Sequence, residues 1–149
     1  MKEEKYSFNK LAEEHYYEFF SEGPKGTIKK VVRYRLIQEF PIRIYNLGFG
    51  DWKEEQGDVD DTVATNNQDS QKVLATVADT VLDFTNNHPD AFVFAQGSTP
   101  ARTRLYQMGI GSFFDQIGAL FSVTAYYNGD WQPFEKGKNY EAFLIKRKK

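Results

Sequence analysis

Cysteine is missing from this 149-residue chain, which excludes disulfides and thiolate-ligated metals. Histidine is nearly missing: His15 and His88 are the only two, and no metal-ligand spacing connects them. No apolar run approaches the roughly 18 residues that a spanning helix requires, so no membrane partner is expected. The opening MKEEKYSF holds no apolar signal segment, and a cytoplasmic location is the expectation. Basic charge is not in excess either. Lys and Arg number 19 against 21 Asp and Glu, a formal net charge of −2, whereas a general nucleic-acid binder usually carries surplus Lys and Arg. Nucleic acid is therefore the less favoured partner. Internal repeats, low-complexity stretches and linkers are lacking too, so residues 1–149 are expected to form one domain.

What the chain has in quantity is aromatic surface. Aromatic residues make up 16% of it, with 13 Phe and 9 Tyr, inside an ordinary globular composition of 40% hydrophobic and 27% charged residues. Large rings suit pleated strands and a sheet-containing core. A protein–protein interaction module, acting through aromatic strand faces, is a second reading of the same composition.

Periodicity supplies the elements. Residues 15–21 (HYYEFFS), 27–38 (TIKKVVRYRLIQ) and 41–47 (PIRIYNL) read as consecutive antiparallel strands, with the turn residues Glu22 to Gly26 between the first two. On the second strand Ile28, Val32, Tyr34 and Leu36 alternate, leaving Lys29, Lys30, Arg33 and Arg35 as a wet basic face. Residues 48–69 are acidic and rich in Gly and Asn, and read as a long loop. Val73, Leu74, Val77, Val81, Leu82 and Phe84 then form one apolar stripe, predicting a helix from about Ser70 to Asn86 with Asp69 as side-chain cap and Pro89 beyond its end. Residues 91–95 (AFVFA) fit a buried strand. Thr99-Pro100 opens a helix that Gly109 closes, and Ser112 with Asp115 has capping-box spacing for a second short helix ending at Gly118. Residues 119–127 and 140–147 close the chain as strands around the tight turn Asn128-Gly129. The expected class is α+β: a mostly antiparallel sheet with a long central helix and a short helix pair.

One segment concentrates the chemistry. A buried strand running into Gly97, Ser98 and Thr99 and then a helix start presents backbone amides, hydroxyls and the positive end of a helix dipole. Gly97 would admit an anion close to the backbone, and Arg102 and Arg104 carry the paired donors that clamp phosphate or carboxylate. The two arginines are two residues apart, about 200° around a helix, so both need not face one site. Ser98 and Thr99 serve equally well as helix caps, with the arginines paired to carboxylates. The Gly-Lys-Ser/Thr ending of a nucleotide loop is absent. Asp51, Asp58, Asp60 and Asp61 have the oxygens for a divalent cation but match no calcium-loop spacing, and no metal is expected. The residues name no cofactor. The function expected is a binding domain for an anionic ligand or partner.

The strings SEGPKGTIKKV (21–31), YNLGFGD (45–51), NNQDSQKVLATVADTV (66–81) and GSTPARTRLYQM (97–108) resemble a bacterial family of uncharacterised proteins of about this length, a domain of unknown function. That resemblance runs over nearly the whole chain and implies a small stand-alone bacterial domain without assigned catalytic residues. A weaker resemblance is to the acetyltransferase fold that uses acetyl coenzyme A, in which antiparallel strands also lead to a long helix, a strand, a helix and two closing strands. It implies an acyl-coenzyme-A-dependent acyltransferase, or an inactive relative, with Tyr106 near that fold's general-acid tyrosine. Where that fold places a glycine-rich turn before its long helix, this chain has Asn66 to Gln71, with no glycine and with the carboxylate of Asp69.

Overall fold

The computed structural model describes residues 4–11, 15–55, 57–60 and 67–148. Strands β1 (Asn9–Lys10), β2 (Tyr16–Gly23), β3 (Gly26–Gln38) and β4 (Ile44–Lys53) pair antiparallel in sequence order. Gly26 takes a φ of +90° at the β2–β3 turn, a conformation that only glycine adopts without steric cost. The short β5 (Asp58–Asp60) folds back onto the end of β4. Helix α1 (Ser70–Asn87) then carries the chain across to β6 (Phe92–Ala95), which lies parallel to the first half of β4. Helices α2 (Pro100–Ser112) and α3 (Phe114–Leu120) follow, and β7 (Phe121–Tyr127), β8 (Asp130–Pro133) and β9 (Ala142–Arg147) complete the described chain. The last strand, β9, inserts between β6 and β7, so the order across the sheet is β1-β2-β3-β4-β6-β9-β7-β8. Every pairing is antiparallel except β4 with β6. This is the α+β architecture that the pattern of elements predicts.

The boundaries depart from expectation where tertiary contacts override local signals. Of the 48–69 segment read as a loop, residues through Lys53 extend β4 and Asp58–Asp60 form β5, while residues 61–66 lie outside the described set. Gly109 does not end α2. It is buried against Leu74 of α1, and the chain stays helical to Ser112, with the Phe113 amide donating to the Gly109 carbonyl. Asp69 sits at the N-cap position of α1 but makes no side-chain cap bond, because Tyr6 and Ser21 hydroxyls each donate to its Oδ2 at 2.6 Å. The Ser112–Asp115 capping box does not form either, as α2 still includes Ser112 and Phe113 precedes α3.

The helices cover one face of the sheet. Phe84 of α1 stacks on Tyr34 at 4.2 Å between ring centroids, meets Tyr45 edge-on at 4.9 Å and carries the His88 ring at 4.4 Å on the next turn. Each such pair adds about 0.5–1.5 kcal/mol beyond the area it buries. His15 completes the cluster 5.2 Å from His88, so the fold joins the two histidines that the sequence leaves far apart. Tyr34 also shares a hydrogen bond with Thr80, and burial holds its hydroxyl well above the usual phenol range. No helix among the described residues is long and apolar enough to cross a membrane.

Candidate anion site where two parallel strands part

The strand β4 has different neighbours along its length. Its register with β6 ends at Leu47 opposite Ala95, and its pairing with β5 begins at Asp51 opposite Asp60. The Arg43 carbonyl accepts a hydrogen bond from the Phe92 amide, so strand alternation puts the carbonyls of Tyr45, Leu47 and Phe49 on that same edge. The Phe49 carbonyl therefore points into the gap that opens as β6 turns away toward α2.

Arg102 fills that gap. It lies in the first turn of α2 and is only 6% exposed. Its Nη2 donates to the Phe49 carbonyl, and its guanidinium carbon sits 5.6 Å from the centre of the Phe49 ring. Nε and Nη1 are buried and have no hydrogen-bond partner among the described residues. Two positions beyond Phe49 on the same face of β4, the Asp51 carboxylate is taken by Lys30 Nζ at 2.5 Å, a pair in which both side chains are almost wholly buried. Burying an ion costs several kcal/mol unless a counter-charge offsets it. A ring under a desolvated guanidinium returns only about 2 kcal/mol. Arg102 is thus a buried cation whose charge is not balanced by a carboxylate within salt-bridge distance among the described residues.

The neighbours of Arg102 explain how it is held. The Gly97 amide donates to Thr103 Oγ1 at 3.0 Å, so it is not free for a ligand. A Cβ on Gly97 would lie 2.3 Å from the Arg102 Cβ and 2.4 Å from the Thr103 nitrogen. Glycine is required there because the first turn of α2 closes directly onto the end of β6. Thr99 is the N-cap, its hydroxyl accepting from the Arg102 amide at 3.2 Å, with Pro100 at the first helical position as its sequence predicts. Ser98 is exposed in the connecting turn, and Arg104 is exposed as well. The fold therefore does not bring Arg102 and Arg104 together: two residues of helix put one inside and the other in solvent. Tyr106, one turn after Arg102, is buried at 9% and lines a cavity of about 60 Å³ with Leu47, Leu74 and Ala95.

Three residues at this corner escape a reading of the segment alone: Phe49, Lys30 and Asp51. The sequence pattern places Lys30 on a solvated basic face, yet consecutive strand residues point to opposite sides. Lys29 lies on the outer face, beside Glu18 at 3.1 Å and over the Trp52 ring, while Lys30 shares the buried face with Val32 and Tyr34. Its even position within Ile28, Val32 and Tyr34 was the available signal. Asp51 is bound to Lys30, Asp61 and the side chains of Asp58 and Asp60 lie outside the described set, and no cluster of three metal-ligating side chains occurs among the described residues. At the other end of β4, Leu36, Ile37, Ile42 and the 81%-exposed Phe40 form an apolar patch around the β3–β4 turn.

No curated protein and no solved structure matches the chain. A family model does, over residues 2–148. On that match the chain belongs to the DUF6934 family, a family of unknown function.

Proposed function

We propose that this protein is a binding domain for a small anionic ligand, held where β4 and β6 part and charge-paired by Arg102. The observation that carries the reading is the buried guanidinium with two nitrogens that lack a partner among the described residues, since a cation in that position gains most from an anion that supplies both charge and acceptors. Its place in the topology supports the reading. The carboxyl ends of parallel strands, where neighbouring connections diverge, form the crevices in which α/β sheets take ligands. The N-terminal end of α2 adds its dipole, with Ser98 at the mouth and Gly97 and Thr99 framing the turn. Arg104 belongs to the solvent side in this reading.

The test is a thermal-shift and calorimetric comparison of the protein with Arg102→Met and Arg104→Ala, using phosphate, formate and acetate as probes. A bound anion raises the melting temperature by mass action. The response should vanish in Arg102→Met and persist in Arg104→Ala. An undiminished response in Arg102→Met sinks the proposal.

The second reading, an acyl-coenzyme-A-dependent acyltransferase, draws support from the element order and from Tyr106, which projects into the cavity beside the parting strands. Against it stands the entry to α1, where the buried Asn67 carboxamide donates to the Gly26 carbonyl and accepts from the Lys25 amide, and Asp69 keeps its carboxylate at the first turn. A calorimetric titration with acetyl coenzyme A decides it: no heat at millimolar ligand removes this reading. The Phe40 patch supports a protein-partner role at the far end of β4, independent of the anion site.

A further inference from the structure

Resting on the anion reading of Arg102, we infer that the ligand is an amphiphilic monocarboxylate with a short unbranched tail, about four to six carbons in all. Two structural features meet at this corner. Arg102 and Tyr106 are four residues apart on α2 and so lie one above the other on the same helix face. Phe49 and Leu47 are two residues apart on β4 and so share a strand face. The first member of each pair forms the cationic gap, and the second lines the apolar cavity. The charged gap thus adjoins the cavity, one helical turn away.

The cavity sets the chemistry of the tail. Apart from the Tyr106 and Phe121 rings its walls are aliphatic, including Leu74, Val77 and Ile110, and it holds about 60 Å³. An apolar cavity of about 150 Å³ takes a six-carbon ring, so this one takes roughly two or three carbons. A few further carbons span the rise of about 6 Å between Arg102 and Tyr106. Phosphate or formate would satisfy the guanidinium and leave the cavity unused. A long fatty acid would satisfy both, and its remaining carbons would lie outside the cavity and gain nothing from it. A carboxylate of intermediate length matches charge, distance and volume together.

The experiment is a calorimetric series on the intact protein with phosphate, formate, butyrate, hexanoate and decanoate, repeated on Arg102→Met and on Ala78→Leu. Ala78 is half-buried on α1 and borders the cavity, so a larger side chain there occupies the tail space without touching Arg102. Each methylene that becomes buried should tighten binding about fourfold, so hexanoate should exceed formate by roughly tenfold or more and decanoate should add nothing. Ala78→Leu should remove the chain-length dependence and keep formate binding, with Ala78→Val as the milder filling if Leu does not fold. Phosphate or formate binding as tightly as hexanoate, and lost in Arg102→Met, would overturn the tail and leave the anion site standing. Decanoate binding tighter still in proportion to length would overturn it as non-specific adsorption. No response to any probe, or responses unchanged in Arg102→Met, would overturn the anion reading and this inference with it.

Discussion

The two ends of β4 show opposite ways of burying polar chemistry. At its start, β4 lies between β3 and β6, and Tyr45 joins Tyr34, Phe84, His15 and His88 in a cluster of rings under the end of α1. Polar atoms there are held by local bonds: the Tyr34 hydroxyl on Thr80, and His88 Nδ1 on the Phe84 carbonyl at 3.0 Å. At its end β6 has gone, and two buried cations meet β4 two residues apart, at Phe49 and Asp51. Lys30 has Asp51; Arg102 has a carbonyl and a ring. A complete ladder can be filled with apolar surface, but a parted one leaves backbone groups that need donors. The gap explains why a guanidinium was recruited to Phe49. It does not explain why two of its nitrogens were left over, and that surplus is what points to a ligand.

The contrast between the two cations is best broken by removing each. Lys30→Met removes the cation bound to the buried Asp51 carboxylate and should cost about 3–5 kcal/mol. For a chain of this size that is roughly a 10 °C fall in melting temperature. Adding Asp51→Leu should recover most of the loss, because replacing both members of a buried pair by apolar residues is close to neutral. Urea unfolding of the two single variants and the double gives the coupling directly. A Lys30→Met protein as stable as wild type would show that the pair is not a desolvated one.

Gly97 comes next in size. A β-carbon there meets the backbone of Arg102 and Thr103 rather than a flexible side-chain end. Gly97→Ala should therefore push α2 off the end of β6, at a cost of about 1–3 kcal/mol, and weaken anion binding by displacing Arg102. Near-wild-type stability with intact binding would mean that the corner is softer than its geometry.

How much of this corner was readable beforehand follows from which forces are local. The string from Gly97 to Arg104 announced a strand, a cap and a helix start, and Thr99 and Pro100 take those roles because N-cap bonding involves only neighbours in sequence. The same string could not show that Gly97 faces Arg102 instead of a ligand, since that depends on the angle at which α2 returns to the sheet. Phe49 was unreadable as a site residue because its role comes from where β6 stops pairing. The β2–β3–β4 set was legible through alternation, whereas the extension of β4 to Lys53 and the continuation of α2 through Gly109 are settled by pairing with β5 and packing on Leu74. The family resemblance located the chain in its family and was silent on every residue's role.

Arg102→Met should move stability far less than Lys30→Met. It removes one bond to the Phe49 carbonyl, worth about 1.5–3 kcal/mol for a charged donor, and relieves a charge that no carboxylate among the described residues balances. The two effects oppose each other, so the net change should stay within about 1–2 kcal/mol of zero. A loss as large as that of Lys30→Met would mark Arg102 as a structural strut and argue against a ligand at its free nitrogens.

The smallest effect expected belongs to the closed end of the sheet, where Asp83 of α1 anchors the β1–β2 edge. Burial alone would raise its carboxyl, but hydrogen bonds from Lys10 Nζ at 2.8 Å and the Tyr17 hydroxyl at 2.7 Å, with the Lys10 charge, hold it below the usual carboxylate range. A carboxylate lowered on folding contributes stability that is complete above its unfolded value of about 3.9. That contribution is lost as pH falls through the lower folded value. The side chain is about one-third exposed, so solvent and salt screen the contribution. Asp83→Asn keeps an oxygen for Tyr17 and removes the charge. Its urea midpoint should trail wild type slightly at pH 7, and the difference should shrink below pH 4 and in 1 M salt. A difference that grows as the pH falls would show that the charge opposes the fold here, and that this edge, like the Arg102 corner, holds an unbalanced ion.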